Sequence, residues 1–242
     1  MRFSDEGYII NLLRHGENSL IVTVLSATHG KVAGYVSGAL SKKKLGIYQL
    51  GNAISFNAYA RLEENLAQFR GVELLAPHAV SFMQNENKLA VLSCFCELMN
   101  MCLPEKEELE FLSFYIKDFM NSLESADWLV KYSFIEYYLL EFLGIGLDLS
   151  ECAATGTTQN LAFVSPKSGK AVCLEAGLPY KDKLYKFPHC VIDGNYNADR
   201  TEVADLLKLT GFFLNKNFFQ LHGLKFPNNR ANLLHILNFL KD

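Results

Sequence analysis

No run of about 18 consecutive apolar residues occurs in the 242-residue chain, so no membrane-spanning helix is expected. The opening stretch, MRFSDEGYIINLLRHGENS, carries charges through its apolar part, which argues against a secretory signal. Cysteines are few and irregularly spaced, at positions 94, 96, 102, 152, 173 and 190. A chain of this size needs no disulfide staples, so a reducing compartment, the cytoplasm, is expected. Equally absent are a GxGxxG turn opening a helix, a GxxxxGK[ST] loop, an HExxH pair and a G-x-S-x-G elbow. The histidines, at 15, 29, 78, 189, 222 and 235, are scattered, and none pairs with both a carboxylate and a nucleophile. The reading is therefore of a protein that is not an enzyme, with no catalytic residue and no cofactor.

What is present is apolar mass and segregated charge. Half the residues are hydrophobic, enough for a sizeable core. The formal net charge of −3 conceals three regions. Residues 1–80 hold eight Lys/Arg against six Asp/Glu, residues 81–150 four against twelve, and residues 151–242 eleven against eight. Two mildly basic ends thus flank an acidic middle, and a polyanion responds to such local fields more than to the total. The sharpest local feature is SGALSKKKLG, Ser37 to Gly46, with Lys42, Lys43 and Lys44 between glycines.

Residues 1–80 read as four or five short strands separated by Gly-bearing turns: 8–14, 19–25, 32–36, 51–56 and pieces of 58–69. Such a pattern suggests a small closed barrel rather than a βαβ unit. From Asn85 the period turns helical, with Leu89, Leu92, Phe95, Cys96 and Met99 on one stripe. Pro104 and the acidic residues 105–110 are expected to open a second helix, and Trp128 to Leu143 a third. Residues 148–190, rich in Gly, Pro, Ser and Thr, predict turns and short strands without helices. Residues 202–219 and 229–240 read as closing helices packed on the middle ones. The fold class is α+β: a five-stranded barrel over 1–80, then a mainly helical domain over 81–242 with an irregular, turn-rich insertion at about 148–190.

Lysines on a barrel loop are flexible cations suited to phosphate contact without base readout. Arg14, Lys31, Arg61 and Arg70 lie on nearby strands or turns, and Tyr35, Tyr48, Phe56 or Tyr59 are candidates for stacking on bases. A solvated loop kept basic for solubility is the other reading, and composition alone does not decide between them. Cys152 and Cys173 each look like the first half of a C-x-x-C knuckle, but Thr155 and Ala176 hold the second positions. Cys190 and His189 would complete four ligands on paper, whereas two thiolates alone make no structural zinc site, and no metal is expected.

The segments LLRHGENSLIVTVLSATHGKVAGYVSGALSKKK, LGNAISF and ARLEENL resemble the RecO family of bacterial recombination mediators. So do EFLGIGLDLSECAATG, LAFVSPKSGKAVC, AGLPY, LKLTGFFL and FPNNRANLL further on, so the likeness covers nearly the whole chain. Its Arg, Gly-Glu, Gly-Lys and basic-loop pattern falls on Arg14, Gly16, Glu17, Gly30, Lys31, Gly38, Lys42, Lys43 and Lys44. The resemblance implies an N-terminal OB-type barrel and a C-terminal helical domain, in many members with a four-cysteine zinc insertion, of whose cysteines this chain keeps only Cys152 and Cys173. It implies binding of single- and double-stranded DNA, annealing of complementary strands, and work with RecR, in some bacteria also RecF, to help load RecA. It further implies contact with the acidic C-terminal tail of the single-stranded DNA-binding protein, and a cytoplasmic, nucleoid-associated location.

The expected DNA contacts are Arg14, Lys31, Lys42, Lys43, Lys44 and Arg61. Lys181, Lys183 and Lys186 either extend the DNA path or are ordinary surface charge. Lys117 and Lys131, on helices with apolar stripes, are candidates for an acidic partner tail. Two alternatives stay open: a protein-interaction scaffold without DNA binding, and a module for structured RNA.

Overall fold

β1 (Arg2–His15), β2 (Ser19–Ser26) and β3 (Gly30–Val36) form an antiparallel meander, and β4 (Ala53–Tyr59) and β5 (Ala67–Ala76) a hairpin. The computed structural model describes residues 2–61, 66–109 and 111–237, in two compact units, Met1–Glu124 and Ser125–Asp242. Pairing of β1 with β4, and parallel pairing of β3 with β5 at Gly34–Ala67 and Tyr35–Gln68, closes a barrel in the order β1-β2-β3-β5-β4. Closure pairs both outer strands, β3 with β5 only at its far end. Period-two alternation turns Ile9, Val22, Val24, Val32, Ile54, Phe56 and Phe69 inward to one buried cluster. At the seam Gly34 is required, because a Cβ there would lie 2.2 Å from the Phe69 ring.

The segment between β3 and β4 also belongs to this core. Ala39 and Tyr48 are buried in the barrel cluster, and Leu40, Ile47 and Leu50 pack against it. Buried Asn52 ties the segment down. Its Nδ2 donates to the carbonyls of Gly46 and Ile47, each at 3.0 Å, and its Oδ1 accepts from the Ala79 amide.

Three helices complete the first unit: α1 (His78–Met83), α2 (Glu86–Cys102) and α3 (Leu112–Asn121). The Asn85 side chain caps α2 by accepting from the amides of Asn87 and Lys88. The acidic run does not open α3 as expected: residues 105–109 are not helical, and α3 begins at Leu112. Glu105 bridges to Lys31 in parallel, and the Lys106 amide donates to the Lys31 carbonyl at 3.0 Å. The reason is an uncovered edge. β3 meets β5 only at its far end, so the start of β3 has backbone groups to satisfy, and the acidic segment satisfies them. Gly30, at φ +63°, lets the segment approach, since a Cβ there would sit 1.8 Å from the Glu107 carbonyl oxygen.

In the second unit α4 (Trp128–Phe142) is buried on most sides, through Tyr132, Phe134, Ile135, Leu139 and Leu140. A three-stranded sheet follows, in the order β7-β6-β8, from β6 (Leu161–Val164), β7 (Ala171–Cys173) and β8 (Tyr185–Lys186). This insertion also carries single helical turns that its sequence did not predict. They are α5 (Leu174–Gly177), a 3-10 turn over Leu178–Lys183 and α6 (His189–Ile192). None is longer than six residues, as Pro179 and Pro188 punctuate the stretch.

α7 (Arg200–Leu214) packs on α4, starts from a capping box between Asp199 and Glu202, and runs into a π turn over Asn215–Phe219. α8 (Asn228–Ile236) comes last, and the end of the closing helix expected to reach position 240 lies outside the described residues.

Candidate nucleic-acid interface

Lys42, Lys43 and Lys44 are exposed at the tip of the segment whose flanks plug the barrel. Backbone bonds from the Lys44 and Leu45 amides to the Ser41 carbonyl, at 2.8 and 3.2 Å, hold the tip as a turn. The Leu40 amide donates to the Asn18 carbonyl, which anchors the same segment to the β1–β2 turn. Arg14 leaves β1 at that turn. Its guanidinium donates to the carbonyls of Gly16 and Glu17 at 3.4 and 3.3 Å and stays exposed. Arg61 is exposed two residues beyond β4.

Lys31 is placed differently. It is the second residue of β3, while the segment that carries the lysine tip leaves the strand at Val36, roughly 17 Å further along at about 3.3 Å per residue. Its ammonium donates to the Asn100 carbonyl at 2.7 Å, and burial lowers its pKa, partly offset by Glu105 and Cys102. This ammonium is engaged at the last turn of α2, while the Lys31 carbonyl holds the segment that follows, and the structure does not bring the side chain to the other cations.

The four aromatic candidates separate by exposure. Phe56 and Tyr48 are core residues, at 2% and 5% relative exposure. The Tyr35 hydroxyl shares a 2.9 Å hydrogen bond with Ser19. Tyr59 is 50% exposed, with the Arg70 guanidinium 5.9 Å from its ring centroid. Part of the signal was in the sequence: Phe56 and Tyr59 are an odd number of residues apart on one strand, so if one faces in the other faces out.

A few residues along the same sheet the surface turns acidic. Asp5, Glu6 and Glu73 line a polar cavity of 610 Å³ with Ser4, Ser55 and Asn57. Asp5 there accepts from Ser26 and lies 2.6 Å from His29, whose ring stacks on Phe3.

Of the two lysines expected to meet a partner tail, Lys117 lines a groove of 460 Å³ with Tyr8, Leu25, Leu75, Leu109 and Phe114. Lys131 pairs with Asp127 at 3.3 Å and lies over the Tyr196 ring. Lys181, Lys183 and Lys186 are exposed, the last 5.7 Å from the Phe163 ring centroid.

Cys152 and Cys173 do come together in a small buried cluster that Ala176 packs against. The Cys173 amide donates to the Cys152 sulfur at 3.2 Å, and the Thr155 hydroxyl stands 3.7 Å from the Cys173 sulfur. Burial raises the Cys152 thiol, but bonds from Thr155 and from the amides of Cys173, Ala154 and Thr155 outweigh it and bring it down to about 6. Among the described residues no three His, Cys, Asp or Glu side chains gather as a metal site. His189 and Cys190 instead line a separate cavity beside Glu202 and Asp205.

The family model described as Recombination protein O N terminal matches residues 1–78, and that described as Recombination protein O C terminal matches residues 83–225. A protein of Bartonella quintana (strain Toulouse) named DNA repair protein RecO is 35% identical over 241 residues, covering 98% of this chain and 97% of the relative. A Mesorhizobium japonicum protein of the same name is 36% identical over 242 residues, covering 98% and 94%. One from Cereibacter sphaeroides (strain ATCC 17029 / ATH 2.4.9) is 36% identical over 238 residues, covering 98% of each chain.

Proposed function

The chain belongs to the Recombination protein O family, and from that premise we infer that it is a DNA repair and recombination mediator that acts by binding rather than by catalysis. The observation that carries the reading is the lysine tip. Three successive ammonium groups are held out from a segment whose two flanks are locked in the barrel core. Cations so presented neutralise phosphates of any sequence, on single strands and duplex alike, and release counterions. Arg14 and Arg61 extend that surface, while Lys31 is assigned to bracing the fold.

Two complementary strands gathered on one basic face repel each other less, and their own pairing then joins them. Annealing needs no acid, base or metal. In the cell, the chain would work in the cytoplasm at the nucleoid, with RecR and in some settings RecF, to load RecA on DNA coated by single-stranded DNA-binding protein. The apolar groove edged by Lys117 supports docking of that protein's acidic, apolar-ended tail.

The test is annealing of complementary oligonucleotides coated with the single-stranded DNA-binding protein, in EDTA, across a salt series. Acceleration that fades with salt is expected. The triple variant Lys42→Ala, Lys43→Ala, Lys44→Ala should weaken binding to every sequence and lower the log–log salt slope by about 2–3. A slope unchanged by that variant removes the lysine tip from the mechanism. A folded wild-type protein that neither binds nor anneals DNA leaves the scaffold reading.

A further inference from the structure

We propose that Tyr59 and Arg70 form a stacking platform for an unpaired base, which lets this barrel distinguish single strands from duplex. The inference rests on the DNA-binding reading above and adds the chemistry that reading lacks, because a lysine tip treats the phosphates of both forms alike.

The pairing register fixes the platform. Tyr59 faces Arg2 across β1–β4 and Gln68 across β4–β5. Directly paired residues share a sheet face, so Arg2, Tyr59 and Gln68 stand in one outward row. The Gln68 side chain accepts from Arg70 Nε at 3.0 Å and from its terminal nitrogen at 2.6 Å. Those bonds hold the guanidinium near the tyrosine ring, 5.9 Å from its centroid. The result is a half-bare aromatic ring with an anchored planar cation beside it and a second arginine across the strand. Both planar groups offer a face to a base, and both arginines suit its phosphate.

Charge along the strands sets where a nucleic acid lies. Ser55 is paired with both Glu6 and Glu73, four residues down β4 from Tyr59, or about 13 Å at 3.3 Å per residue. A phosphate backbone is repelled from those carboxylates and drawn toward Arg2, paired with Tyr59, and Arg70, paired with Asn57 between the two rows. A duplex keeps its base faces stacked inside, so only an unpaired or extruded base reaches the ring.

The test uses the full chain and fluorescence anisotropy with two labelled probes, an oligothymidylate of about 16 nucleotides and a duplex of the same length. Tyr59→Ala and Tyr59→Leu should each weaken single-strand binding by about 5- to 150-fold, leaving duplex affinity and the salt slope unchanged, since no charge is lost. Tyr59→Phe should bind as wild type, because stacking needs the ring and not the hydroxyl. Tyr59 is half exposed, so the variants should unfold at the wild-type temperature. The platform is overturned if Tyr59→Ala and Tyr59→Leu leave single-strand affinity intact, or lower both affinities equally. Wild-type binding to both probes with indifferent Tyr59 variants rejects the platform and leaves the lysine tip standing. Wild-type protein that binds neither probe rejects both.

Discussion

Asp148 shows how much a single contact can set. Its carboxylate accepts from the Lys170 ammonium at 2.8 Å and from the Ser150 hydroxyl at 2.8 Å. The Lys170 hydrogen bond, then the Ser150 side-chain and amide bonds, bring its pKa from an ordinary 3.8 down to about 2. A carboxyl with a depressed folded-state pKa adds stability that is full above its unfolded value and is lost as pH falls through the folded one. The contribution from this pair should therefore fade between about 4 and about 2. Carboxyl carbon shifts followed by NMR titration should give Asp148 a midpoint of about 2, and Lys170→Met should move it up. A midpoint near 3.8 in the wild type removes the pair as a constraint on the insertion. None of this was legible in sequence, where Asp148 and Lys170 are 22 residues apart. Tyr59 was half legible: strand parity sets it opposite to Phe56, but the choice among four aromatics needed the register.

At the scale of elements, α8 is attached in an unusual way. Arg230 and Leu233 are its buried residues, so little apolar surface holds it down. The Arg230 guanidinium instead grips Glu136 of α4 with two bonds, at 2.6 and 2.7 Å, and donates to the Leu207 carbonyl of α7 at 2.5 Å. Thr210 and Tyr132 donate to the same carboxylate, at 2.6 and 2.5 Å, so the buried charge is fully engaged. Removing one partner strands the other ion away from water. Arg230→Ala should destabilise the protein by about 3–5 kcal/mol in urea unfolding. A loss under about 1 kcal/mol would mean that α8 is held by something else.

The first-unit counterpart is the acidic segment beside β3. Gly30→Ala places a Cβ on the Glu107 carbonyl in a left-handed backbone, where a non-Gly residue costs about 1–2 kcal/mol before any collision. Amide exchange at Lys106 should then quicken sharply; unchanged exchange would show that the segment does not need this approach. Both features were missed for one reason. Helix periodicity and N-terminal acidity describe a segment alone, whereas the Glu136–Arg230 pair spans 94 residues and the acidic run answers a backbone need on another strand. The barrel was readable because each strand carries its own alternation and each turn its glycine.

For the whole molecule, the formal net charge of −3 is a poor guide to behaviour. Cations and carboxylates are segregated along the same barrel strands, Arg2 and Arg70 toward the Tyr59 end of β4 and Glu6 and Glu73 beside Ser55 further down it. Binding to a polyanion should accordingly persist at pH 8, above the sequence pI of about 6.1, and weaken with salt rather than with modest alkalinity. Affinity that tracks net charge through the pI would contradict this.

The plug between β3 and β4 has one more consequence. Its lysine tip is the single stretch of the segment that packs nothing, while Ala39 and Leu40 before it and Ile47 and Tyr48 after it are seated in the barrel. A cut between Lys43 and Lys44 divides the barrel into a β1-β2-β3 fragment and a fragment starting with the β4–β5 hairpin. Both closing seams, β1 with β4 and β3 with β5, run between the two pieces. Neither fragment can complete the core by itself, and each presents two open edges that only the other fits. A chain cut there should therefore behave as a split protein, its halves recognising each other and reassembling together.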